Sequence, residues 1–223
     1  MIARGLQELI ALPLCLLWFW LIDIALRGLK VGPRWFMMHV AGNLGVVACA
    51  MPDVSALLLG TGTLSEPNAI GLLSPLALSL HIYHALAFKL RTEDWIHHGL
   101  YVFGAAPLII LTQNRAMSVC YFACTGLPGA IDYAALSATK MGILSKPIQR
   151  ELYSATSAFL RMPLSAVGSL LLFKVGVSGH TPALVLGPLM YINGAHYGRQ
   201  AIESAAVWRV RRQYGLAGST GRS

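Results

Sequence analysis

Charged residues are scarce in this chain: only 12% of its 223 residues are Asp, Glu, Lys or Arg, where a soluble domain carries roughly 25%. That shortage removes the solvated surface of a water-soluble globule and excludes a soluble enzyme or a disordered chain. Acids are the scarcer sign, nine against seventeen bases, for a net charge of +8. The basic excess forms no single stripe with interleaved aromatics, which argues against nucleic acid as a partner. Cysteine is thin as well. Cys15, Cys49, Cys120 and Cys124 lie in apolar runs and none forms a CxxC pair, so neither a disulfide framework nor a zinc knuckle is indicated. Cys120 and Cys124 share a helix face as small packing residues. Internal repeats are missing too, including the paired broken helices of small-solute transporters.

What is abundant is apolar sequence. Hydrophobic residues make up 56% of the chain, and the mean hydropathy is +0.60. A membrane-crossing helix needs about 20 mostly apolar residues. Seven segments meet that length: 8–27, 36–59, 69–89, 95–113, 115–138, 150–174 and 180–203. The composition therefore predicts an all-α polytopic membrane protein of about seven spans. After the run Leu9 to Ile22 come Asp23, Arg27 and Lys30 rather than a small-residue cleavage site, so the first span is read as uncleaved.

The basic residues orient the spans. With the first connection inside, the inside collects Arg27, Lys30, Arg34, Lys89, Arg91, Lys140, Lys146, Arg150, Arg209, Arg211, Arg212 and Arg222, and the outside only Arg4, Arg115 and Lys174. That asymmetry places the N-terminus outside and the C-terminus on the cytoplasmic side. Residues 1–206 then form one transmembrane domain. Residues 207–223 form a basic tail whose Arg209, Arg211 and Arg212 meet anionic head groups, with Ser219 to Ser223 loose at its end.

Ionisable side chains at membrane depth are costly and mark functional candidates. His81 and His84 are three apart, hence on one helix face. After a charged turn come Thr92-Glu93-Asp94-Trp95-Ile96-His97-His98. Thr92 is the predicted N-cap of span four, with Glu93 and Asp94 in its first turn, where the helix dipole favours acids. Asp94 reaches His97 or His98 by i,i+3 or i,i+4 spacing and would fix one imidazole's tautomer, leaving the other nitrogen free to act. Adjacent His97 and His98 diverge by about 100° on a helix, so one of them faces the site. The four histidines could hold a metal, act as nucleophile or general base on an acyl group, or serve as structural hydrogen-bonders. Further along, Gly126-Leu127-Pro128-Gly129 can break a helix, and Asp132 just beyond it is placed to pair with Arg161 of span six. Asn43, Asp53 and Asn193 are read as interhelical hydrogen-bonders, and His39, His180 and His196 as scattered.

Taken together, these elements resemble the TLC-domain family, which includes ceramide synthases and smaller lipid-handling relatives, here closest to plant- and alga-like members. The resemblance runs from about Trp35 to Lys174. It comprises Arg34 and His39 opening span two, His81-Ile82-Tyr83-His84 ending span three, and Asp94-Trp95-Ile96-His97-His98 opening span four. Gly126 to Tyr133, Lys140 and Arg161-Met162-Pro163 complete it. The resemblance implies a barrel of helices around a lipid or acyl chain, and it carries acyl transfer onto His97 and His98. Asp94 would orient one of them, and His81, His84, Asp132 and Arg161 would line the cavity. It also implies residence in the endoplasmic reticulum, or alternatively in an organellar inner membrane. No motif names a cofactor and no metal ligand set is assigned. The rival is a non-catalytic structural subunit or lipid-binding scaffold among other membrane-protein subunits, favoured by the short loops and by a single acid, Asp132, where the synthase motif has an acidic pair.

Overall fold

The computed structural model describes residues 2–215, and side chains for 10–92 and 94–215. Arg222 and Ser219 to Ser223, and the side chains of Arg4 and Glu93, lie outside the described residues. Within them, the apolar runs fold into seven helical rods: α1 (Ile2–Gly28), α2 (Arg34–Leu58), α3 (Leu73–Ala87), α4 (92–112), α5 (Arg115–Lys140), α6 (Lys146–Val177) and α7 (Pro182–Gln213). No strand occurs among the described residues; Pro67 and Asn114 form one isolated bridge.

Five rods are long and apolar enough to cross a bilayer: Ile10–Gly28 within α1, α2, Asp94–Thr112 within α4, α5 and α6. The other two fall short for different reasons. α3 has 15 residues, about 22 Å against a hydrocarbon core of about 30 Å. Its expected start at residue 69 is lost because both carboxylate oxygens of Asp53 accept the Ala69 backbone N–H at 3.0 Å, holding that stretch as loop. α7 has the length, but Arg199, Glu203, Arg209, Arg211 and Arg212 dilute it. It stays helical to Gln213, so the basic segment expected as a tail from residue 207 begins as helix.

Six rods close a ring in which each packs on the next, in the order α2, α3, α4, α7, α6, α5 and back to α2. α1 lies outside it against α2, α3 and α4. One end of the bundle carries the connections 29–33, 88–91 and 141–145. At the other end the loops 59–72, 113–114 and 178–181 meet around Pro67, Gln113, Asn114 and His180. Buried carboxylates tie both ends. Asp23 of α1 accepts from Arg27 (2.6 Å), Arg34 of α2 (2.5 Å) and the Tyr83 hydroxyl of α3 (3.0 Å). Asp53, fully buried on α2, accepts from Ser118 of α5 at 2.6 Å and pairs with Arg115 at 3.2 Å.

Arg115 also pairs with Glu66 at 2.5 Å. The Thr63 hydroxyl and backbone N–H, then Arg115, hold the Glu66 carboxyl below its ordinary 4.5. A carboxyl depressed on folding contributes stability above its unfolded value and loses it as pH falls through the folded one. The difference in thermal midpoint between wild type and Glu66→Gln is therefore expected to be constant near neutrality, to begin shrinking as pH falls through the ordinary glutamate value of 4.5, and to vanish only below the depressed folded value; melting scans against pH check it.

The α6–α7 contact is a seam of small residues. A Cβ on Gly194 would stand 2.5 Å from the Ser165 side chain, and one on Gly198 would stand 2.4 Å from Met162. Ser165 is short and buried and has no room to yield, whereas the Met162 thioether can swing aside. Gly194→Ala is expected to cost about 1–3 kcal/mol by overpacking and Gly198→Ala less than half of that, measured as detergent-solution unfolding.

Three wide π-helical turns interrupt the ring helices: Leu100–Ala105 in α4, Phe122–Gly126 in α5 and Ser157–Arg161 in α6. Each is followed two residues later by a proline, Pro107, Pro128 and Pro163. A proline ring clashes with the carbonyl four residues before it and offers no N–H. Those carbonyls belong to Phe103, Cys124 and Phe159, all within the wide turns, where the extra residue gives the ring room. The break expected at Gly126 to Gly129 is therefore a widened turn inside a continuous rod.

Candidate functional site

At the end of the ring bounded by loops 29–33, 88–91 and 141–145, every ring helix contributes a side chain to one closed circuit. His39 of α2 lies against His84 of α3, ring centroids 4.2 Å apart. From α3, His84 and His81 meet His98 of α4 at 5.8 and 4.8 Å, and His81 meets His97 at 5.4 Å. The Tyr197 hydroxyl of α7 reaches His97 Nδ1 at 3.4 Å. Arg161 of α6 sits over the Tyr197 ring at 5.9 Å and forms a buried ion pair with Asp132 of α5. The neighbour of Asp132, Tyr133, stacks on His39 at 4.0 Å and 13°, which closes the circuit.

Beneath this girdle the ring interior is plugged. Tyr101 of α4 and Tyr121 of α5, on opposite sides of the ring, join their hydroxyls at 2.9 Å. Tyr101 also stacks on His81 at 4.0 Å. Towards the far end follows the apolar core, including Leu73, Leu76, Ile109, Met117, Cys120 and Leu172. The histidine girdle thus lies at one mouth, the end where Lys30, Lys89, Arg91, Lys140 and Lys146 lie.

Backbone carbonyls fix the tautomers. His39 Nδ1 donates to Trp35 O at 3.1 Å, His81 Nδ1 to Ala77 O at 2.7 Å, and His98 Nδ1 to His81 O at 3.0 Å. A carbonyl can only accept, so each Nδ1 carries the hydrogen and each Nε2 keeps a lone pair. Three bases are thereby held in one cluster, with no carboxylate needed to orient them. His84 differs. It is fully buried, stacked on Trp35 at 4.1 Å and 6°, with both ring nitrogens lacking a partner. Asp132 Oδ1 and Arg161 Nε, the two outer edges of the ion pair, are also buried and unpartnered.

The predicted residues divide as follows. His81, His84, His97, His98, Asp132 and Arg161 come together. His98 is buried and His97 exposed, as the 100° divergence of neighbours requires. Asp94 does not orient a histidine. Its carboxylate accepts the Arg91 backbone N–H at 3.1 Å and the Arg91 guanidinium at 3.2 Å, because the N-cap is Arg91 rather than Thr92 and an acid at the third helical position reaches back to that orphan N–H. His39, scattered by spacing but part of the resemblance with Arg34 at the start of span two, belongs to the girdle. Tyr133 ends the Gly126-to-Tyr133 element of the resemblance, and Tyr197 carries no sequence signal. Among the described residues, no three of His, Cys, Asp or Glu converge as metal ligands. No family model, curated protein or solved structure matches the chain.

Proposed function

We propose that this chain is a TLC-like membrane protein of seven spans, with its N-terminus outside and its C-terminus on the cytoplasmic side, that binds and modifies acyl-chain lipids at the histidine girdle. The observation that carries this reading is the set of unpartnered polar atoms in the girdle. Buried polar groups are nearly always hydrogen-bonded, so His84, Asp132 Oδ1 and Arg161 Nε hold unused hydrogen-bonding capacity that a bound polar group would complete. The three locked Nε2 lone pairs call for a hydrogen-bond donor, a hydroxyl or an amine; a base beside such a group can take its proton as it attacks the carbonyl carbon of an acyl thioester or ester, and return that proton to the thiol or alcohol that leaves. That is acyl transfer, with His98 as the buried base and His97 at the exposed edge. Basic side chains around the mouth favour anionic head groups. Residence in the endoplasmic reticulum belongs to the same reading.

The test is the lipid profile of cells expressing wild type, His98→Ala or His97→Ala at equal levels. A class of acylated lipid present with wild type and lost with His98→Ala is expected. Unchanged profiles in both variants would leave the girdle a structural role within a larger assembly and remove acyl transfer.

A further inference from the structure

The end of the ring opposite the girdle holds a cavity of about 110 Å³ lined by Ser65, Pro67, Ile110, Leu111, Thr112, Gln113, Asn114 and His180. Three loops meet there, and the apolar core separates it from the histidines. Four polar atoms on its wall are buried without a partner: Gln113 Oε1 and Nε2, Asn114 Nδ2 and His180 Nδ1. Asn114 is 1% exposed, and its Oδ1 is already used, accepting the Met117 N–H at 3.1 Å to cap α5. Its amide nitrogen is therefore a donor with no protein acceptor. The volume is several times what a single water needs.

We propose that this cavity is a binding site for a neutral polyol group, a glycerol or single-sugar moiety. The wall supplies donors (Asn114 Nδ2, Gln113 Nε2), an acceptor (Gln113 Oε1) and an imidazole nitrogen that serves as either. Adjacent hydroxyls donate and accept at once, so they satisfy that mixed set with the fewest atoms. An anion would leave Gln113 Oε1 facing negative charge, and no cation lines the wall, since Arg115 is held by Asp53 and Glu66. A cation would find no carboxylate among the lining side chains. Pro67, Ile110 and Leu111 offer the apolar face on which the C–H side of a polyol rests.

The polyol could be free or the head group of a lipid in the facing leaflet, and the experiment separates the two. Protein in phosphatidylcholine nanodiscs is melted with added free galactose, and separately with a galactosyl diacylglycerol in the disc. Binding to the folded state alone raises the midpoint with ligand concentration. A concentration-dependent rise with either probe, lost in Gln113→Leu, is expected; a rise with the lipid alone assigns the head group, and a rise with galactose assigns the free polyol. Should Gln113→Leu fail to fold, His180→Phe keeps the ring volume and removes the nitrogens, and it must weaken the rise at least several-fold. No rise with either probe, together with a Gln113→Leu protein as stable as wild type or more so, makes the cavity a pocket of water and overturns the proposal.

Discussion

Arg161→Ala is expected to lower the stability of the protein by about 3–5 kcal/mol, the range seen when one partner of a buried ion pair is removed. Asp132 would then be a carboxylate in the bundle interior with nothing opposite it, since Arg161 is the partner its structure provides. The double variant Arg161→Ala with Asp132→Ala removes the uncompensated charge and is expected to regain at least half of that loss. Unfolding in mixed micelles, followed by circular dichroism, measures both. A single variant as stable as wild type would mean that Asp132 is protonated or solvated in the folded protein. Under the proposed acyl transfer, the double variant also separates architecture from chemistry: folded but without turnover, it would show that the pair holds substrate as well as helices.

Under the proposed acyl transfer, His98→Asn is expected to abolish turnover while leaving the fold intact. Asparagine places an N–H near the position of histidine Nδ1, so the hydrogen bond to the His81 carbonyl survives. The lone pair at Nε2 does not. Loss of a general base typically costs 10²–10⁴ in rate, about 3–5 kcal/mol of barrier. His98→Ala would lose the same rate and in addition about 1 kcal/mol of hydrogen bond. Equal melting of wild type and His98→Asn, with at least a hundredfold difference in lipid product, is the expected pair of results. Product from His98→Asn at the wild-type rate would assign the His98 lone pair no part in the reaction.

Much of this arrangement was legible in the sequence, for identifiable reasons. Apolar runs mark where all seven rods lie, and in five of them the run is long and apolar enough to cross a bilayer. The grouping of His81, His84, His97 and His98 followed from three-residue spacing and a short turn, which leaves two neighbouring helices little freedom of register. Asp132 with Arg161 followed from the cost of burying either alone. Less local features escaped. His39, Tyr133 and Tyr197 join the site only because six helices close a ring, and no spacing within one helix encodes that closure. Asp94 had two acceptable partners within a turn, and it takes neither because the orphan backbone N–H of Arg91, as near along the chain as His97, lies at the helix end it caps. The shortening of α3 came from Asp53, sixteen residues before the backbone group it holds.

The wide turns ahead of Pro107, Pro128 and Pro163 carry a further consequence for the sequence itself. Each is an α-helix with one residue inserted, so the stretch beyond it is advanced in phase by about 100°. On α6 the phase after Arg161 decides that Ser165, Gly168 and Leu172, rather than their neighbours, face inward. Removing a single residue from 157–161 would close the wide turn to a regular one, leave that half-helix facing as it does now, and set Pro163 against a regular helical carbonyl. Among chains sharing this fold, one-residue gaps at these three places should therefore accompany loss of the proline two residues on, and the proline should persist wherever the extra residue does.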